Sequence, residues 1–106
     1  MKAEDICRKA AELVSDSRHK QHGEKLVNHQ AIAAVWNGYL LAREVSGKPM
    51  QLSAVDVANM MELLKVARRL NGDVNVDDAV DGAGYAAIAG ELQDRENLGR
   101  FAKNNI

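Results

Sequence analysis

The stretch AVDVANMMELLKVARRL, residues 54–70, is the strongest indication of the fold, because apolar side chains occur on nearly every side of it. A narrow polar strip with a spacing of three residues interrupts them: Asp56, Asn59, Glu62 and Lys65. A helix that is apolar almost all round is usually covered on several sides by other elements. The sequence therefore predicts a compact all-α protein in which this stretch forms a central helix.

Apolar residues recur at helical spacing in three other segments, which predict helices at residues 3–15, 26–44 and 77–94. With the central helix this makes a four-helix domain over residues 1–94, followed by a polar C-terminal tail at 95–106. Short connections predict antiparallel neighbours. We expect the following residues of the second and fourth helices to face inward: Val27, Ala31, Ala34, Val35 and Leu41, and Val80, Ala83, Gly84, Ala87 and Ile88.

Composition excludes several classes of protein. The 106 residues carry a net charge of −1, which gives no electrostatic signature for nucleic acid. The single cysteine, Cys7, allows no internal disulfide and fits a reducing compartment. No signal peptide or membrane-spanning run is visible, so we expect a cytoplasmic protein without a membrane partner. A short chain with an apolar central helix also predicts a homo-oligomer.

Acidic residues are the first candidates for chemistry. Asp78 and Asp81 lie three residues apart on the predicted fourth helix, and Asp56 and Glu62 could meet them from the third. Carboxylates grouped in this way suit Mg²⁺, so these four are the predicted metal ligands. The competing interpretation is helix-start chemistry. We favour it for Asp77 and Asp78, which can cap the fourth helix, and for Asp56, which forms a capping box with Ser53.

Basic residues and one tyrosine are candidates for binding phosphate or a partner: Arg18, Lys20, Lys65, Arg68 and Tyr85. The alternative for the loop at 15–25 is a solvated charge run. The alternative for Lys65 is a surface pair with Glu62. The fourth helix is also rich in glycine, and glycine is unfavourable inside a helix unless another backbone approaches closely. We therefore expect a neighbouring helix to lie close to it.

The motifs resemble those of a family of small phage and prophage proteins of unknown function. The resemblance rests on the loop and helix SDSRHKQHGEKLVNHQAIAAVWNGYL (15–40), on SAVDVANMMELLKVARRLNG (53–72) and on DDAVDGAGYAA (77–87). It is most specific in the last two segments. In the loop, His22 stands where that family usually has tyrosine.

A more distant resemblance is to the MazG-like all-α nucleotide pyrophosphohydrolases, which use Mg²⁺ and carry E-x-x-E on one helix and E-x-x-D on the next. Asp78 and Asp81 correspond to the second motif, and Asp56 and Asn59 to the first, with Glu62 a turn later. The resemblance implies a helical, oligomeric fold and a degenerate acidic motif.

Three functions remain open at this point. The first is a non-catalytic phage-type binding protein, without a cofactor, that binds a host protein or a nucleotide. The second is a Mg²⁺-dependent nucleoside triphosphate pyrophosphohydrolase. The third is a structural unit of a helical oligomer, in which the acids are helix caps.

Overall fold

Within the residues that the structure describes, the chain forms four α-helices. The structure, a computed structural model, describes residues 1–15, 24–72 and 75–104. The helices are α1 (Ala3–Leu13), α2 (Lys25–Val45), α3 (Ala54–Arg68) and α4 (Val76–Asn104), and none of the described residues forms a strand. The predicted all-α, four-helix fold is confirmed.

Helix α3 lies between the other two long helices, as its apolar surface predicted. It packs against α2 on one side and against α4 on the other. In contrast, no residue of α1 is buried. The arrangement is therefore a layer of three helices with α3 in the middle.

The ends of α2 and α3 follow from local chemistry. Ser53 and Asp56 form the predicted capping box at the start of α3. Gly47 and Gly72 follow the ends of α2 and α3 with φ values of 71° and 72°, a left-handed conformation that glycine adopts without strain. Helix α3 ends at Arg68, two residues before the predicted end.

The predicted end of the fourth helix at residue 94 is wrong by ten residues, because α4 continues to Asn104. Local side-chain pairs support the extension. Arg95 lies 3.4 Å from Glu91, and the Gln93 amide donates to the Asn97 carbonyl oxygen at 3.2 Å. Both pairs have the i, i+4 spacing that stabilises an exposed helix. Most of the polar tail at 95–106 is therefore helical.

The inward face of α2 differs from the predicted one. Val27, Ala34 and Leu41 are exposed, and the side against α3 carries the half-buried Trp36 and Tyr39 instead. A hydrogen bond between α2 and α3 accounts for this orientation of α2. The Trp36 ring N–H donates to the Met60 carbonyl oxygen of α3 at 2.7 Å, so the helix turns this side inward.

The inward face of α4 also differs. The predicted residues, Val80 and Ile88 among them, are exposed, whereas over residues 76–98 of α4 the buried residues are Asp78, Gly82 and Ala89. Gly82 is the position at which the expected close approach occurs, since a Cβ built there would lie 3.6 Å from Lys65 Cβ. Gly84 and Gly90 have nothing within 4 Å of such an atom, so close packing within the chain does not explain them.

The molecule buries little apolar surface. Within the described residues, the buried hydrophobic side chains are three alanines: Ala58, Ala67 and Ala89. The radius of gyration is 17.7 Å, against about 13 Å for a compact domain of this length. None of the described helices combines the length and the apolar character needed to cross a membrane.

Candidate functional site

The polar strip of α3 is divided between two neighbouring helices. Asp56 and Lys65 are nine residues apart, which is about two and a half helical turns, so their side chains leave α3 on opposite sides. Asp56 faces α2 and Lys65 faces α4. Two separate polar clusters result, one at the α2–α3 contact and one at the α3–α4 contact.

Asp56 is the centre of the first cluster. Its Oδ1 accepts hydrogen bonds from the Tyr39 hydroxyl at 2.6 Å and from Arg43 Nε at 2.9 Å. Its Oδ2 accepts from the Ser53 backbone N–H at 2.7 Å and from the Ser53 hydroxyl at 3.0 Å. A carboxylate has about four lone-pair sites, and here four donors occupy them. The Asp56 carboxylate therefore holds the start of α3 and its contact with α2 in place.

The titration of this cluster follows from the same contacts. Burial alone would raise the pKa of Asp56, but the hydrogen bonds from the Ser53 backbone, Tyr39, the Ser53 hydroxyl and Arg43 outweigh it and lower the pKa to about 2. Burial, together with the bond to Asp56, raises the pKa of the Tyr39 hydroxyl. Asn59 donates to that hydroxyl at 3.1 Å and opposes the rise. Asp56 therefore stays ionised at neutral pH.

Arg43 connects this cluster to the loop between α2 and α3. Besides its bond to Asp56, its two terminal nitrogens donate to the carbonyl oxygens of Pro49 at 2.8 Å and Gln51 at 3.2 Å. The planar guanidinium presents several donors in fixed directions, which suits contact with three acceptors at once. Arg43 thereby fixes the loop against the start of α3.

A cleft opens next to this cluster. Its volume is about 490 Å³, within the usual range for binding pockets. It lies between the C-terminal end of α2, the loop after it, the start of α3 and the C-terminal half of α4. The polar residues that line it include Tyr39, Arg43, Lys48, Asn59, Gln93 and Glu96.

The second cluster joins α3 to α4. Lys65 Nζ lies 3.1 Å from Asp81 Oδ2 and 3.8 Å from Asp78 Oδ1, and Arg68 Nε lies 3.5 Å from Asp78 Oδ1. The Asp78 side chain is 5% exposed, whereas that of Asp81 is 50% exposed. The ammonium of Lys65 therefore occupies the position between the two carboxylates that a metal ion would need.

Asp78 does not cap α4, contrary to the interpretation that we favoured from the sequence. The cap comes from Asn75, whose side-chain oxygen accepts the Asp77 backbone N–H at 2.9 Å. Asp78 is instead turned towards Lys65 and Arg68 and is buried. Asp77, by contrast, is exposed in the first turn, where a negative charge favours the helix dipole.

The structure brings only two of the four predicted metal ligands together. Asp78 and Asp81 share one side of α4, while Asp56 faces α2 and is occupied by its own donors. Glu62 is half-buried on α3. In the part of the chain that the structure describes, no group of three or more His, Cys, Asp or Glu side chains is arranged to hold a metal. Asp78, Asp81, Asp56 and Glu62 as Mg²⁺ ligands therefore stay a prediction, of which the structure places Asp78 and Asp81 side by side.

The predicted phosphate- or partner-binding residues are likewise separated. Lys65 and Arg68 are turned towards the acids of α4, and Tyr85 is half-buried on the same helix. Arg18 and Lys20 lie outside the described residues. Tyr39 and Arg43 belong to the first cluster although no sequence motif marked them as site residues. One signal was available, since Trp36 and Tyr39 are polar-tipped aromatics that need hydrogen-bond partners when they are buried.

Comparisons with known proteins show where the chain belongs. It is 33% identical over 84 residues to the Gene 55 protein of Mycobacterium phage L5 and 34% identical over 84 residues to the Gene 55 protein of Mycobacterium phage D29. Each match covers 79% of this chain, and the chain spans about half the length of these curated relatives, 49% and 50%. No solved structure matches the chain.

These similarities confirm the predicted relationship to phage proteins of unknown function. The more distant resemblance to MazG-like enzymes stays a prediction. The family model that matches is described as "Domain of unknown function (DUF6378)", and it covers residues 5–93. The chain therefore belongs to this family, DUF6378.

Proposed function

We propose that this chain is a non-catalytic phage-type interaction protein, which acts as a homo-oligomer and binds a protein partner. One observation carries the proposal. Large apolar side chains are exposed on all four helices, while the buried hydrophobic residues of the described chain are small alanines. Exposed apolar side chains that line up on one face of a helix, as Val27, Leu41 and Val45 do on α2, are typical of sites of association.

The surface area supports the same conclusion. The chain exposes 7954 Å², whereas a compact monomer of its mass exposes about 5,800 Å². The difference, about 2,100 Å² per chain, is in the range that an obligate dimer buries per subunit. Association would thus supply the burial that the single chain lacks.

The state of the carboxylates supports binding rather than catalysis. Arg43 neutralises Asp56, and Lys65 and Arg68 neutralise Asp78 at the α3–α4 contact. Metal-assisted hydrolysis needs carboxylates whose oxygens remain available to the ion. In this chain Asp56 and Asp78, which correspond to the MazG-like motifs, instead join α3 to its neighbouring helices.

The cleft favours a protein over a nucleotide as the ligand. Arg43 and Lys48 contribute positive charge, and Asp56 and Glu96 balance it. A triphosphate is recognised by an excess of positive charge or by backbone N–H groups at a helix start. The start of α3 lines the cleft, but the Asp56 carboxylate already occupies it and would repel a phosphate. Lys48 and Glu96, one charge of each sign in the described lining, instead suit a polar segment of a protein.

The alternative function is a Mg²⁺-dependent pyrophosphohydrolase, and Asp78 and Asp81 are the residues on which it depends. For these two to bind the ion, Lys65 would have to leave its position between them. The arrangement that the alternative requires therefore differs from the one observed.

Two measurements on the wild-type chain test the proposal together. Sedimentation equilibrium should give a mass that is a multiple of 11.6 kDa. Incubation with each common nucleoside triphosphate and Mg²⁺ or Mn²⁺ should release no pyrophosphate above the rate of Asp81→Asn. A monomer at all concentrations would contradict the oligomer, and turnover that Asp81→Asn abolishes would establish the enzyme instead.

A further inference from the structure

The outward side of α2 carries a regular apolar stripe that the predicted inward face partly anticipated. We call it the α2 seam, and its spacing is four, three, four, three and four residues. It consists of Val27, Ala31, Ala34, Gly38, Leu41 and Val45. Alternating steps of three and four keep side chains on one line along a helix, and two helices pair along such a line.

The seam faces away from the rest of the described chain. Val27 is 49% exposed, Leu41 60% and Val45 80%. A Cβ at Gly38 would have no atom within 4 Å. The opposite side of α2 is the one that holds α3, through Trp36 and Tyr39.

We propose that the α2 seam is the interface between two copies of this chain, which pair antiparallel about a two-fold axis near residue 36. This inference rests on the proposed function and specifies the surface that makes the oligomer. Its spacing reads the same from either end of α2, so the stripe is complementary to its own antiparallel copy.

The sizes of the side chains fit this pairing. An antiparallel copy places Val27 opposite Val45, and Ala34 opposite Gly38. The smallest residues thus meet at the two-fold axis, where the helices cross most closely, and valines close both ends. Small residues at the crossing point allow two backbones to approach each other.

The charges also favour an antiparallel copy over a parallel one. Through the middle of α2, the residues on either border of the seam are uncharged: Gln30, Val35, Asn37 and Ala42. Antiparallel pairing places the end marked by Glu24 next to the partner's end marked by Lys48. A parallel pair would instead set Lys48 next to its own copy, and like charges across an interface are unfavourable.

The exposed area is large enough for a second copy of the chain to be the occupant. The chain exposes about 2,100 Å² more than a compact monomer of its mass, and a 21-residue helix is long enough to form a substantial share of a dimer interface. The other exposed apolar helix, α1, has 11 residues and covers a shorter stripe.

Disulfide trapping tests the proposal. In a Cys7→Ser background, Val27→Cys and Val45→Cys proteins, one carrying a tag, are mixed and mildly oxidised. We expect the mixed disulfide to exceed either homodimeric disulfide several-fold. A dominant disulfide between two copies of Val27→Cys would show parallel pairing, and cross-linking no greater than with the similarly exposed Val57→Cys on α3 would exclude the seam. Either result overturns the proposal.

A mass measurement separates this inference from the proposed function. In the proposed dimer Leu41 faces the partner's Ala31, so Leu41→Glu buries an unpaired charge in the interface. The position is exposed in the single chain, so the fold should persist while the dimer dissociation constant rises about a hundredfold or more. Val57→Glu is the matched control and should leave it unchanged. If Leu41→Glu remains as dimeric as the wild type, the α2 seam is not the dimer interface, although the chain is still an oligomer. If the wild type is monomeric, the proposed function itself fails.

Discussion

At the scale of single residues, Asp56 connects the helix cap, the neighbouring helix and the loop between them. Its contact with Arg43 is nearly buried, since each side chain is 11% exposed. Removing one partner of a buried charge pair leaves the other uncompensated and commonly costs about 3 kcal/mol or more. Asp56 is therefore the carboxylate on which the α2–α3 contact depends most.

We predict that Asp56→Asn lowers the free energy of unfolding by about 3 kcal/mol, because Arg43 loses its charge partner and one side-chain oxygen becomes a donor. Urea denaturation monitored by Trp36 fluorescence measures the change. Asp77→Asn, at an exposed position of α4, should change stability by less than about 0.5 kcal/mol. Equal effects of the two substitutions would contradict the role assigned to Asp56.

The pKa of Asp56 also predicts how stability depends on pH. Its folded pKa is about 2, below the ordinary value of 3.8. A depressed pKa contributes stability above the unfolded value, and that contribution is lost as pH falls through the folded one. The difference between wild type and Asp56→Asn should therefore shrink by about 2 kcal/mol between pH 5 and pH 2. A difference that is constant over this range would show that ionisation of Asp56 does not stabilise the fold.

The two acids of α4 should behave differently although they lie three residues apart. Asp78 is buried against Arg68 and Lys65, whereas Asp81 is half exposed and contacts Lys65 alone in the described structure. We predict that Asp78→Asn costs about 2 kcal/mol and Asp81→Asn less than about 1 kcal/mol, because solvent screens an exposed pair. Thermal unfolding of both variants checks this. A larger loss of stability in Asp81→Asn would contradict the prediction, because it would show that Asp81 stabilises the α3–α4 contact more than Asp78 does.

At the scale of helices, the sequence predicted where the elements lie better than which way they face. Caps and glycines mark the ends of α2 and α3 locally, as at Ser53 and Gly72. The direction of a face depends on contacts that are distant in sequence. Arg43 and Asp56 are 13 residues apart and lie on different helices, so no local sequence pattern predicts that they form an ion pair.

The candidate site was predictable only in part for the same reason. Spacing placed Asp78 and Asp81 on one side of α4, and the structure has them there. We also expected Asp56 to lie near Asp78 and Asp81. It does not, because Lys65 faces these two residues and Asp56, nine residues earlier on α3, points to the opposite side of the helix. Helical periodicity, applied strictly along α3, would have separated the two clusters.

The glycines of α4 provide a prediction at this scale. A Cβ at Gly84 would meet nothing within 4 Å, so Gly84→Ala should raise the free energy of unfolding by about 0.5 to 1 kcal/mol through helix propensity. Gly47 has a φ of 71°, so Gly47→Ala should instead be destabilising. Chemical denaturation of both variants measures the two signs. A loss of stability at Gly84 would indicate that another chain packs against this position.

At the scale of the whole molecule, the central feature is the shortage of buried apolar surface. α3 is covered on two sides, yet the large apolar side chains of the outer faces remain exposed, as at Leu41 and Val80. The conformational entropy lost on folding requires burial to offset it. The three buried alanines and the half-buried apolar side chains of α3, such as Met60 and Leu63, supply part of that burial. We therefore expect association to add stability to a chain that folds on its own.

Self-association should also make stability depend on concentration. When folding and association are coupled, dilution favours the unfolded chain and lowers the melting temperature. We predict that the wild type melts several degrees lower at 1 µM than at 100 µM, and that Leu41→Glu shows no such dependence. Differential scanning fluorimetry over this range measures both proteins. A melting temperature that is independent of concentration in the wild type would argue that one chain is stable alone.

Sedimentation equilibrium of the wild-type chain tests the central claim most directly, because it reports association without a ligand or a label. We expect a dimer, with twice the 11.6 kDa mass of one chain, at micromolar concentration. A single species of 11.6 kDa at 100 µM would contradict it.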